Sequence, residues 1–130
     1  IESYQVFADP IYFIQHKNRK SKEIDNGSLL MLEQGHCLRS HILQNNEIST
    51  KHISNFSCTS ISTLVAMVDT NIGVSFLPRM AIDFGVLSHY PNINIDLKST
   101  KAKRDIGVIY RKNNPQEDNI IKLAQLLMAS

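Results

Sequence analysis

Short apolar runs bounded by polar or turn-forming residues recur along the chain and predict β-strands. The predicted strands cover residues 4–7, 11–15, 28–32, 53–58, 73–77, 93–97 and 105–111. Between several of these runs the apolar residues change to helical spacing. The clearest amphipathic stripe, at i, i+3, i+4 and i+7, is formed by Ile61, Leu64, Val65 and Val68. Helices are predicted from about residue 36 or 37 to 45, from 61 to 70, from 80 to 84 and from 115 to 128.

Capping and turn-forming residues mark several ends of these elements. Pro10 has no backbone donor and is predicted to separate the first two strands. Thr59 or Ser60 is placed to cap the second helix, and Asn71 is placed to end it in the left-handed conformation. Asn114, followed by proline, is a start signal for the last helix. The alternation of strands and helices indicates an α/β fold with a largely parallel sheet.

Length, charge and cysteine count restrict the classes of function. The chain has 130 residues and a net charge of +2, which is too weak to indicate nucleic-acid binding by composition. No apolar run approaches the roughly 20 residues of a membrane-spanning helix, so no membrane partner is expected. Two cysteines and no recognisable signal peptide indicate a reduced, cytoplasmic protein. Because the first residue is Ile1 rather than Met, we expect a fragment of a longer protein.

Four sequence blocks resemble LysR-type transcriptional regulators, and one of them resembles the OxyR-like peroxide sensors among them. Residues 29–39 read Leu-Leu-Met-Leu-Glu-Gln-Gly-His-Cys-Leu-Arg, which is similar to the peroxide-sensing segment. Residues 59–64, Thr-Ser-Ile-Ser-Thr-Leu, resemble the family's Thr-Ser-Leu-Glu-Thr-Leu helix start. Residues 73–78, Gly-Val-Ser-Phe-Leu-Pro, and 104–111, Arg-Asp-Ile-Gly-Val-Ile-Tyr-Arg, resemble two strand motifs of the family. The similarity covers essentially the whole chain.

The resemblance implies a periplasmic-binding-protein-like (type II) α/β effector domain, of which this chain holds the C-terminal part. Residues 1–9 would be the crossover from the first subdomain, 10–103 the second subdomain, and 104–130 the closing strand and helix of the first. The DNA-binding domain would be absent. The implied function is sensing hydrogen peroxide or a small effector in a homo-oligomeric regulator. DNA would be bound only through the missing domain, and RNA polymerase would be contacted only by the full-length protein.

Cys37 is the candidate redox residue. It stands at a predicted helix start, where the helix dipole favours a thiolate, which is the nucleophilic form of cysteine. His36 and Arg39 add donors and positive charge, and His36 could protonate the oxygen that leaves when a peroxide is attacked. The other interpretation is an inert cysteine packed as a small apolar side chain.

The second cysteine departs from the family pattern. The resemblance implies a resolving cysteine nine residues after the first, but Asn46 stands there. Cys58 lies at a predicted strand end, where the family has a small apolar residue, and is either a core residue or a second thiol. Three outcomes stay open: a disulfide between Cys37 and Cys58, a stable sulfenic acid or glutathione adduct, or no peroxide sensing.

Two other functions compete with peroxide sensing. In a domain that binds a small effector without redox chemistry, Thr59 and Ser60 would be ligand donors at a helix start, and Arg104 would help order the cleft. A thiol enzyme using Cys37 and His36 is the weaker alternative, because no third orienting group is apparent. Neither a cofactor nor a metal site is expected, and the basic runs at 17–22 and 98–104 are interpreted as solvated loops.

Overall fold

The computed structural model describes residues 1–20, 23–33, 37–45, 48–97 and 102–129. His36 and most of the basic run at 98–104 lie outside these residues. The elements are β1 (Glu2–His16), β2 (Leu29–Leu32), α1 (Cys37–Asn45), a 3₁₀ turn (Thr50–His52), β3 (Ile53–Cys58), α2 (Ile61–Asp69), β4 (Ser75–Pro78), α3 (Arg79–Asp83), β5 (Ile93–Asp96), β6 (Lys103–Tyr110) and α4 (Glu117–Ala129). The chain divides into a small unit, Ile1–Asp9 with Arg104–Ser130, and a large unit, Pro10–Lys103.

Most elements lie where local sequence signals predicted them. β3 spans the predicted residues, and α1 begins at Cys37. The Ser60 hydroxyl caps α2 by accepting a hydrogen bond from the Thr63 backbone N–H at 3.3 Å. Beyond the end of this helix Asn71 adopts φ 62°, the left-handed conformation predicted for it. These predictions are confirmed.

The predicted break at Pro10 is wrong. β1 is a single strand of 15 residues that continues through Pro10. Its pairing with β4 begins only at Ile11, opposite Pro78, and its pairing with β5 begins at Phe13. The donor that Pro10 lacks therefore falls outside both of these ladders, which is how a strand can tolerate proline.

The described strands form two sheets, one of β4, β1, β5 and β6 and one of β2 and β3, so the prediction of a largely parallel sheet is corrected. β2 and β3 pair in parallel, and a parallel bridge joins Leu29 to Val74 just before β4. β1 pairs antiparallel with both β4 and β5. Within the described residues, no helical crossover leads into β1. The connection that makes neighbouring strands parallel is therefore missing, and β1 can pair antiparallel with β4 and β5.

The core of the large unit lies where the helices cover the buried strands. All four residues of β2 are buried. The inner face of α2 contributes three buried side chains, Leu64, Val65 and Val68, as its spacing predicted. The shorter α1 contributes Leu38 and Ile42, which are 2% and 3% exposed. Each such side chain removed from water stabilises the fold by roughly 1.5–3 kcal/mol.

The small unit is held by pairing between the beginning of β1 and β6. Gln5 Nε2 donates a hydrogen bond to Asp105 Oδ1 at 3.0 Å. Gly107 leaves space for the neighbouring strand, because a Cβ atom there would lie 2.9 Å from the Tyr4 carbonyl oxygen. In α4 only Ala124 is buried. The exposed apolar side chains of this helix are Leu123, Leu126, Leu127 and Met128. Within the described part of the chain, no helix is long and apolar enough to cross a bilayer.

Candidate functional site

Cys37 is the first residue of α1, and its thiol is free and exposed. Buried Leu38 and Ile42 on the same helix hold α1 against the core. The N-terminal end of a helix presents unpaired N–H groups and the positive end of the helix dipole. The structure thus places the Cys37 thiol where solvent can reach it, in the first turn of α1.

Arg39 ties the first turn of α1 to the end of β2. Its Nη1 donates a hydrogen bond to the Leu32 carbonyl oxygen at 3.0 Å. The side chain is half-buried, so this bond from a charged donor is partly shielded from water. Arg39 was predicted from the sequence to supply charge to Cys37. The contact observed is a positioning one, and its electrostatic role stays a prediction.

Cys58 ends β3 and is a buried thiol, 1% exposed. Its backbone is the ladder partner of Leu32, and its carbonyl oxygen accepts a hydrogen bond from the Glu33 N–H at 3.0 Å. The Cys58 Sγ lies 3.4 Å from the Met67 Sδ and donates to it. Burial raises the pKa of the Cys58 thiol. Cys58 is therefore protonated and protected in this state, in contrast to exposed Cys37.

Thr59 and Ser60 follow directly at the start of α2. Thr59 is exposed, whereas Ser60 is half-buried. The Ser60 hydroxyl already contacts the Thr63 N–H, the Thr63 hydroxyl at 3.1 Å and the Ser62 hydroxyl at 3.1 Å. The Ser60 hydroxyl is thus already engaged at the start of α2, and a ligand role for Thr59 or Ser60 stays a prediction.

Arg104 belongs to the small unit, where it pairs with Asp9. Arg104 Nε lies 2.8 Å from Asp9 Oδ2, and the Asp9 side chain is 1% exposed against 24% for Arg104. The sequence reasoning missed Asp9. The available signal was a lone acidic residue inside an otherwise β-rich run, but its partner is 95 residues away.

The candidate residues therefore fall into two groups. Cys37, Arg39, Cys58, Thr59 and Ser60 lie at or beyond the ends of β2 and β3 in the large unit. The second group is the ion pair just described in the small unit. Among the described residues, no cluster of three or more histidine, cysteine or acidic side chains could hold a metal ion.

Comparison with known proteins identifies the family of this fold. The model of the LysR substrate binding domain matches residues 2–130. The chain belongs to the LysR substrate-binding domain family. The α/β, type II periplasmic-binding-protein-like fold class expected from the sequence is thereby confirmed, and so is the family resemblance.

The relatives of this LysR domain are transcriptional regulators. The HTH-type transcriptional regulator EstR of Acinetobacter baylyi is 30% identical over 130 residues, covering 94% of this chain and 43% of that protein. The DNA-binding transcriptional dual regulator OxyR of Escherichia coli K12 is 33% identical over 107 residues, covering 78% of this chain and 33% of that protein. The OxyR2 E204G regulatory domain from Vibrio vulnificus superposes with a TM-score of 0.88 at 30% identity, covering 98% of this chain and 66% of that one. This LysR domain thus spans less than half the length of these curated relatives.

Proposed function

We propose that this LysR domain is the sensor part of a peroxide-responsive transcription factor and that oxidation of Cys37 is the sensing event. The proposal depends chiefly on one observation, an exposed thiol at the first position of α1. The similarity to proteins named OxyR supports it. The whole regulator would be a cytoplasmic homo-oligomer that binds DNA and engages RNA polymerase outside this domain. The domain would not be an enzyme, because its thiol is consumed rather than turned over.

The chemistry proposed for Cys37 is a two-electron oxidation. Its thiolate attacks one oxygen of the peroxide, the O–O bond breaks, and the sulfur becomes a sulfenic acid. The departing oxygen needs a proton, for which neighbouring His36 is the candidate donor. Arg39 acts in this scheme as a positioning residue, because its hydrogen bond to Leu32 keeps the first turn of α1 at the strand end.

Site-resolved mass spectrometry after stoichiometric peroxide tests this function. Cys37 should gain one oxygen, and a sulfenic-acid probe should trap it, while Cys58 should stay unmodified during the first step. The matched variants are Cys37→Ser, which should abolish the signal, and Cys58→Ala, which should retain it. If Cys37 stays reduced while the protein remains folded, peroxide sensing by this residue is excluded.

The alternative of a small effector bound without redox chemistry predicts a different result. Thr59, Ser60 and Arg104 would then matter, and Cys37→Ser would retain the full response. The hydroxyl of Ser60 already serves as the helix cap, so no contact in the described residues favours this alternative.

We also assign the two compact units to the subdomains of the effector domain. The large unit would be the second subdomain, and the small unit would hold the crossover and the closing strand and helix of the first. The exposed apolar side chains of α4 support this assignment, since an apolar helix face of this kind normally packs against further protein.

A further inference from the structure

β2 and β3 end side by side, and this places Cys58 next to the strand that leads to Cys37. Leu32 and Cys58 are ladder partners in the parallel pair. The next residue, Glu33, continues the ladder by donating its N–H to the Cys58 carbonyl oxygen at 3.0 Å. Neighbouring strands lie about 4.8 Å apart. Cys58 is therefore fixed beside the last residues of β2.

The other cysteine is tethered to the same strand end. Cys37 follows Leu32 by five residues, a segment that reaches at most about 17 Å when fully extended. Two residues later Arg39 Nη1 binds the Leu32 carbonyl oxygen at 3.0 Å, which keeps the first turn of α1 close to that end. A disulfide requires Cα atoms about 4.4–6.8 Å apart. The short tether lets Cys37 reach Cys58 by a shift of the first turn of α1, without separating β2 from β3.

We propose that Cys58 is the resolving thiol of this domain and forms an intramolecular disulfide with oxidised Cys37. This inference rests on the proposed function, because Cys37 must first be oxidised. The position nine residues after Cys37 holds Asn46, which has no thiol. Cys58 is the only other cysteine in the sequence.

The two chemical steps balance with a hydroperoxide as oxidant. In the first, a Cys37 S–O bond forms, the O–O bond breaks, and the departing oxygen leaves as water or an alcohol after taking a proton. In the second, the Cys58 thiolate attacks the Cys37 sulfur, an S–S bond forms, the S–O bond breaks, and the hydroxide takes the proton released by Cys58 to give water. Two thiols and one hydroperoxide thus yield one disulfide, water, and a second water or alcohol.

The burial of Cys58 makes the second step a conformational one. Its thiol must leave Met67 Sδ, now 3.4 Å away, before it can attack. Because Arg39 lies in the same turn of α1 as Cys37, a movement of that turn would also disturb its hydrogen bond to the Leu32 carbonyl oxygen. Sulfenic acid on Cys37 should therefore form first and the disulfide afterwards. Because Cys58 is buried, the disulfide can form only after α1 has rearranged.

A time course on the 130-residue chain tests the proposal. The reduced protein receives one equivalent of hydrogen peroxide, and samples are quenched with an alkylating agent and with a sulfenic-acid probe before peptide mass spectrometry. The expected result is an early adduct on Cys37 that decays as a linked Cys37–Cys58 peptide appears, with the protein monomeric on a non-reducing gel. In Cys58→Ala, whose folding is checked by circular dichroism, the sulfenic acid should persist at least tenfold longer.

The outcomes separate this inference from the function on which it rests. Oxidised Cys37 with no linked peptide in the wild-type protein, or with a link only between two chains, overturns the role of Cys58 and leaves peroxide sensing intact. An unmodified Cys37 overturns both. Because the decisive readout is made on the wild-type protein, a folding defect in Cys58→Ala does not affect it.

Discussion

Replacing Arg104 with methionine tests whether the ion pair of the small unit stabilises the fold. The change keeps an unbranched apolar stem and removes the guanidinium that lies 2.8 Å from the Asp9 carboxylate. The Asp9 side chain is 1% exposed, so water cannot replace the lost charge, whereas Arg104 is 24% exposed. The two partners should therefore respond unequally to the loss of the other.

The free energy of unfolding should reflect that inequality. Removing one partner of a fully buried pair costs about 3–5 kcal/mol. Because the Arg104 guanidinium is partly solvated, we expect Arg104→Met to lower the free energy of unfolding by about 2–3 kcal/mol. Asp9→Asn should cost less, about 1–2 kcal/mol, because the guanidinium left behind can turn to water. The double variant Asp9→Leu with Arg104→Met should recover part of the loss, since no charge is then left buried.

The assay is urea unfolding followed by circular dichroism, with linear extrapolation to water for the wild type and each variant. The double variant is the control, because it separates the pair interaction from lost packing. Equal losses for Arg104→Met and Asp9→Asn would contradict the reasoning. So would a loss below about 1 kcal/mol for Arg104→Met, the value of an ordinary exposed ion pair.

Three other positions give simpler tests. Gly73→Ala should lower the free energy of unfolding by about 3 kcal/mol or more, because its Cβ would overlap the Ser28 carbonyl oxygen; a neutral result in urea unfolding would contradict this. Ser60→Ala should cost about 1 kcal/mol through the lost cap on the Thr63 N–H, and Ser60→Gly should cost less. Burial raises the pKa of Cys58, so its stabilising contribution is complete below the unfolded-state pKa of about 8.5 and is lost as pH rises toward the higher folded-state value. Wild-type protein should therefore lose more stability above about pH 8.5 than Cys58→Ala does, and parallel pH profiles would refute this.

The elements that could be predicted from the sequence are those whose signals are local. α2 has a capping serine, an apolar stripe and a left-handed asparagine within a dozen residues, and the structure confirms each of them. The break at Pro10 failed because a missing donor matters only where a partner strand needs it. The ladders of β1 with β4 and β5 start one and three residues later. That information lies in the pairing and not in the residues around the proline.

The candidate site also contains features that local sequence signals predict and features that they do not. The position of Cys37 at the start of α1 follows from nearby apolar spacing and was predicted. The pairing of Asp9 with Arg104 joins residues 95 positions apart and has no local signal. Arg39 was proposed as a site residue because it lies two positions after Cys37 in the sequence, and its role there stays a prediction. The structure shows that its guanidinium binds the carbonyl oxygen of Leu32, seven residues earlier.

The helix that carries Cys37 is short, and this suits a sensor. α1 has nine residues, too few to be stable alone in water. Buried Leu38 and Ile42, partly buried Leu43 and the hydrogen bond from Arg39 are among the contacts that dock it on the core. Burial of the two side chains is worth roughly 1.5–3 kcal/mol each, and a hydrogen bond from a charged donor about 1.5–3 kcal/mol. A new covalent bond at Cys37 has to outweigh contacts of this size to reposition the helix, whereas Met31 and Leu32 are held in the strand pair by their partners Ser57 and Cys58.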